Sequence, residues 1–146
     1  MSQLSRRQVL VGLSSAGITT LLAGGRVVRD PFLSGDGGYN CYRTPGLAIS
    51  KLGTVLAFCG GRVDNCRDEG NIDVVLRRSS DGGRNWGPLQ VIANDGPNPC
   101  KIPLPVVLVN GRILLLWLWN ASVQREADRG KRFVRISHSD DDGRSW

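Results

Sequence analysis

Two arginines stand where an anionic ligand can be recognised. Arg43 lies in Tyr42-Arg43-Thr44-Pro45, and the proline restricts the residue before it to an extended backbone, which aims the neighbouring side chains. Arg62 closes the apolar run Leu56-Ala57-Phe58-Cys59-Gly60-Gly61 and opens a charged stretch, Gly61 to Gly70, that carries Asp64, Asp68 and Glu69. A planar guanidinium fork is the side chain best matched to a carboxylate, so two of them at adjacent strand ends predict a site for an acidic small molecule. Metal chemistry has no comparable support: Cys41, Cys59, Cys66 and Cys100 lack the paired short spacing of zinc sites, and His138 is the only histidine.

The elements that must carry these residues are marked by a repeat. SSDGGRNW at Ser79 to Trp86 and SDDDGRSW at Ser139 to Trp146 share the pattern S-x-D-x-G-x-x-W. Asp81 and Asp141 stand about 60 residues apart, the length of a four-stranded sheet with its loops and the spacing of propeller blades. Each residue type suits a tight hairpin. The carboxylate can accept N–H groups two residues on, the glycine takes positive φ, and Trp86 and Trp146 return the chain to apolar packing between sheets. Turn chemistry accounts for the whole pattern, so these residues set the fold rather than act on a substrate.

Strands are expected at Leu47 to Ser50, Thr54 to Cys59, Ile72 to Arg78 and Leu89 to Ala93, making one sheet. A second cycle follows with Val106 to Val109, an Asn110-Gly111 hairpin, Arg112 to Trp119 and Phe133 to His138. Arg26 to Asn40 reads as an irregular entry segment. The expected fold is all-β, the N-terminal portion of a propeller comprising about two blades, with the chain stopping where the outermost strand of the second sheet begins. Repeats of this kind normally close a ring, so the chain reads as part of a larger protein.

Composition is consistent with a globular domain rich in turns: 40% hydrophobic residues with 19 Gly and 7 Pro. The net charge of +6 is modest and scattered, and no basic run argues for nucleic acid. Residues 1–25 read as an export leader, because Arg6-Arg7 precedes an apolar stretch too short and interrupted for a membrane span, ending in small residues. The paired arginines resemble the twin-arginine signal of bacteria. The mature chain, 26–146, is then expected to work outside the cytoplasm without a membrane span. Export permits disulfides, and the four cysteines allow three pairings.

Together, Tyr42-Arg43-Thr44-Pro45, the Gly-Gly-Arg62 segment, the loop running into Gly70-Asn71-Ile72-Asp73 and the two S-x-D-x-G-x-x-W turns resemble the sialidase (neuraminidase) family, whose Asp boxes have this pattern and whose propeller has six blades. The order and spacing agree from Tyr42 through Trp86 and more weakly beyond. The resemblance implies that Arg43 is the first of three arginines clamping the sialic acid carboxylate and that Arg62 contacts the sugar near its 4-hydroxyl. It makes Asp68 the acid/base that protonates the leaving glycosidic oxygen, with Asp64 the competing choice because the loop varies in length. Asn120 matches a substrate-contacting position. The implied activity is retaining exo-α-sialidase hydrolysis of sialylated glycoconjugates, without cofactor or metal. Thr44 replaces the usual isoleucine, Gly60 stands where glutamate is common, and the family's other two arginines, nucleophilic tyrosine and glutamate have no counterpart in these residues. The rival reading is a non-catalytic Asp-box propeller serving in binding or assembly.

Overall fold

The computed structural model describes residues 20–22, 26–122 and 130–146. Nine strands are described: β1 Thr20–Leu22, β2 Arg26–Val28, β3 Cys41–Ile49, β4 Val55–Arg62, β5 Ile72–Ser79, β6 Gln90–Ala93, β7 Cys100–Val107, β8 Ile113–Asn120 and β9 Arg132–Ser139. β1 and β2 form a small antiparallel hairpin at the end of the expected leader, most of which lies outside the described residues. The rest makes two antiparallel sheets, β3-β4-β5-β6 and β7-β8-β9, each in simple up-and-down order. Among the described residues no helix is long and apolar enough to cross a membrane.

Burial explains the sheet arrangement. Every residue of β4 after Val55 is buried, as a strand covered on both faces requires. Leu56 and Phe58 on one face join Val74, Leu76, Cys100, Ile113, Leu115 and Trp119 in a core between the two sheets. Cys59 and Val75 on the other face pack with Tyr39, and Phe32, Tyr42, Val63 and Leu89 close around them. The irregular segment before β3 therefore serves as the cover of the first sheet. Gly61 permits this, since a Cβ there would stand 2.7 Å from the Tyr39 ring.

The innermost strands β3 and β7 lie side by side, and at Gly46 an added Cβ would meet the Pro103 carbonyl oxygen at 2.6 Å. Both strands begin several residues earlier than the sequence pattern suggested. Pro45 in β3 and Pro103 and Pro105 in β7 are accommodated because each strand is the edge of its sheet, where proline is tolerated.

The two box turns fold as one motif. Asp81 Oδ1 accepts from the backbone N–H groups of Arg84 and Asn85 at 3.0 and 2.9 Å, and Asp141 Oδ1 does the same with Arg144 and Ser145. The accepted N–H groups lie three and four residues on rather than two, because the turn is wider than an Asx turn. Donation from Asn85 and Ser79 holds the Asp81 carboxyl well below the usual range, and Ser145 and Ser139 do so for Asp141. Trp146 sits in the seam, edge-on to Phe58 with centroids 5.6 Å apart. Trp86 does not: it is half-buried, with its indole N–H on the Arg29 carbonyl at 3.1 Å.

Candidate active site

Arg43 and Arg62 converge because their strands pair. Arg43 is opposite Gly60 and Cys41 opposite Arg62 in the β3–β4 ladder, so both guanidiniums emerge at one end of the sheet. Between β4 and β5 the chain makes the loop 63–71, whose residues 64–69 are all exposed. Asp68 bridges the two arginines. Its Oδ1 lies 2.8 Å from Arg62 Nη2 and 3.3 Å from Arg43 Nη1. The hydrogen bond from Arg62, and then the positive charge of Arg43, lower the Asp68 pKa below the ordinary carboxylate value.

The two arginines differ in what they offer. Arg43 is half-exposed and available to a ligand, whereas only 1% of the Arg62 side chain reaches solvent. Arg62 donates through Nε to the Arg67 carbonyl at 3.0 Å, through Nη1 to the Gly60 carbonyl at 3.1 Å and through Nη2 to Asp68. Its guanidinium thus supports the loop from the buried side. Gly60 fits that role, since a Cβ would crowd Arg62 Nη1 at 3.4 Å and Thr44 Oγ1 at 3.2 Å. A glutamate there would enter the space that the arginine fills.

Asp64 is exposed on the same loop, near Gly70, and makes no ion pair with either arginine among those described. Asn120 ends β8 and lines a cavity of about 170 Å³ together with Asp68, Glu69, Gly70, Lys131 and Arg132. Its Oδ1 is buried without a protein partner, an acceptor left for something in the cavity. The structure thus brings together Arg43, Arg62 and Asp68, and sets Asn120 in a cavity that Asp68 also lines.

Two features escaped sequence reasoning. A disulfide joins Cys41, at the start of β3, to Cys66 in the loop, leaving Cys59 and Cys100 buried as thiols. Only the fold could choose among the three pairings. Lys101, at the start of β7, reaches from the second sheet to donate to the Asp68 carbonyl at 2.8 Å. Its signal was present, since Lys101-Ile102-Pro103 parallels Arg43-Thr44-Pro45, but the parallel is visible only once both are seen to open an innermost strand.

A family model described as a BNR repeat-like domain matches residues 53–146. The chain belongs to this family. Similar proteins include an exo-alpha-sialidase of Aspergillus fumigatus, 28% identical over 132 residues, covering 75% of this chain and 32% of the relative. A sialidase of Micromonospora viridifaciens is 29% identical, covering 81% of this chain and 20% of the relative. The chain thus spans a third or less of these relatives. Among solved structures, Hadza microbial sialidase Hz136 superposes with a TM-score of 0.70 at 23% identity, covering 88% of this chain and 30% of that one. Trypanosoma rangeli sialidase superposes at 0.54 and 14%, covering 86% and 23%. The BNR-repeat chain is all-β and has the fold of the corresponding part of a sialidase propeller.

Proposed function

We propose that this chain supplies the carboxylate-binding and proton-donating side of an exo-α-sialidase acting with retention on terminal sialic acid of glycoconjugates. The observation that carries the reading is the meeting of Arg43, Arg62 and Asp68 from two strands and one loop, an arrangement that a scaffold has no need of. In the resting site Asp68 is an anion paired with both arginines. When a sialic acid carboxylate takes the forked donors of Arg43, Asp68 loses part of the positive field that keeps it ionised, and its proton affinity rises. The protonated carboxyl then gives its proton to the glycosidic oxygen as the bond from that oxygen to the anomeric carbon breaks. The opposing nucleophile belongs, by family resemblance, to later blades. Asn120 offers an acceptor to a hydroxyl or amide of the bound sugar.

The reading is tested by joining this chain to the remaining blades of a related sialidase and comparing substrates. Asp68→Ala should cost about 10²- to 10⁴-fold on natural sialosides, the usual worth of a general acid, and far less on aryl sialosides whose leaving group departs unprotonated. Equal losses on both would make Asp68 a loop-holding residue, and a selective loss for Asp64→Ala would move the acid there. The sealed position of Arg62 favours a second reading, a static ion-pair cluster in a binding module. That reading predicts no turnover in the joined protein while its fold is intact.

A further inference from the structure

The backbone that presents Arg43 is built twice. Thr44 has φ of 56° and Ile102 has φ of 58°, both β-branched residues preceding proline, where positive φ is a genuine outlier. In each case the strand register shifts across the same step, between Arg43 and Gly46 in β3 and between Lys101 and Leu104 in β7. Strain of this kind persists only where the surroundings over-determine it, and it marks places where side-chain direction matters. Lys101 therefore occupies in the second sheet the position that Arg43 occupies in the first.

Both cations turn to the same loop. Three consecutive carbonyls there each take one basic donor: Cys66 from Arg43 at 2.9 Å, Arg67 from Arg62 at 3.0 Å and Asp68 from Lys101 at 2.8 Å. The loop buries no apolar side chain between 64 and 69, so these bonds and the disulfide set its position. Lys101 is half-buried, and its pKa is lowered by desolvation; Asp68 and Glu69 act against this, and Arg62 and Arg132 add to it.

We propose that Lys101 is a positioning residue for Asp68, the second sheet's counterpart of Arg43, so that the proton donor is set in place only where the two sheets meet. The inference rests on the reading of Asp68 as the acid. Its test does not require turnover. In the full chain with ¹³C-labelled aspartate, the Asp68 carboxyl is titrated by NMR in wild type, Lys101→Met, Lys101→Gln and Lys101→Arg. The groups facing it are Arg43 from β3, Arg62 from β4 and Lys101 from β7.

Met and Gln should each weaken Asp68 as an acid by about threefold or more, half a pH unit, and raise fast motion at residues 66–68, while Arg restores both. Asp81, held by its own turn, serves as the internal control and should not move. An unchanged Asp68 titration in both Met and Gln variants, or failure of Arg to restore it, overturns the proposal. Turnover in the protein joined to the remaining blades of a related sialidase separates the two readings. If Lys101 variants shift Asp68 in this chain but Asp68→Ala costs natural and aryl sialosides alike in the joined protein, the acid reading fails and the role of Lys101 in setting the loop stands.

Discussion

Replacing Asp142 probes the seam between the two sheets. Asp142 fills the box position held by Gly82 in the first copy, and it keeps the same left-handed backbone, φ of 65° against 74°. A non-glycine residue there costs about 1 kcal/mol, which must be offset by what the side chain does. Its Oδ2 accepts from Thr54 Oγ1 at 2.7 Å and Arg78 Nη2 at 2.8 Å, and its carbonyl accepts Arg78 Nε at 2.9 Å. Both partners belong to the first sheet. Breaking a buried ion pair by removing one partner costs about 3–5 kcal/mol. With the Arg78 side chain still 27% exposed, the lower end applies. Asp142→Ala keeps the strain and loses the contacts, about 3 kcal/mol; Asp142→Gly recovers about 1 of these. Asp142→Asn keeps an acceptor and tolerates the backbone, so it should cost least, about 1 kcal/mol. Urea unfolding followed by Trp fluorescence should show the midpoint falling by about 1.5 M for Ala, taking a slope of about 2 kcal/mol/M. Burial alone would raise the Asp142 pKa, but hydrogen bonds from Ser50, Thr54 and Arg78 outweigh it and leave it lowered. Stability from a depressed carboxyl is present above the unfolded pKa and lost as pH falls through the folded one, so the gap between wild type and Asn should narrow below about pH 4. An Ala variant as stable as wild type, or a Gly variant less stable than Ala, would refute the reasoning.

Reducing the Cys41–Cys66 bond, or replacing both residues with serine, reopens a loop of sequence separation 25 and should cost about 3 kcal/mol in a thermal melt, with thiol counting giving four free cysteines after reduction and two in the serine variant. Gly61→Ala pushes a methyl into the Tyr39 ring and should destabilise by about 1–3 kcal/mol, whereas Gly53→Ala, with open space but positive φ, should cost about 1, as read by chemical denaturation. Changing Arg6 and Arg7 to lysine should hold the protein in the cytoplasm of a bacterial host despite conserved charge, as fractionation would report; unchanged export would rule out a twin-arginine leader.

The repeated box was legible because its chemistry is local. Ser, Asp and Gly satisfy each other within a few residues, so the turn is written where it folds. The same holds for β4 and β5, whose apolar runs need no knowledge of partners. The starts of β3 and β7 were hidden by proline, whose tolerance depends on the strand's place in the sheet. In the site, the two arginines and Asp68 could be singled out by type and order. The burial of Arg62, the disulfide and the reach of Lys101 could not, since each is a contact between segments distant in the chain. Trp86 was misjudged for the same reason: identical turns end in tryptophans that meet different neighbours.

The recurrence of one strained step in β3 and β7 gives the two sheets matching sockets. Each sheet offers a single basic side chain to the loop 63–71 from a backbone shape that proline and the register shift define, with arginine in one socket and lysine in the next. Cohesion between the sheets is decided elsewhere, in the apolar seam and at Asp142. The setting of the loop can therefore be retuned one socket at a time while the seam is preserved, and substitutions at 43 and 101 should move residues 66–68 more than they move the melting temperature of the protein.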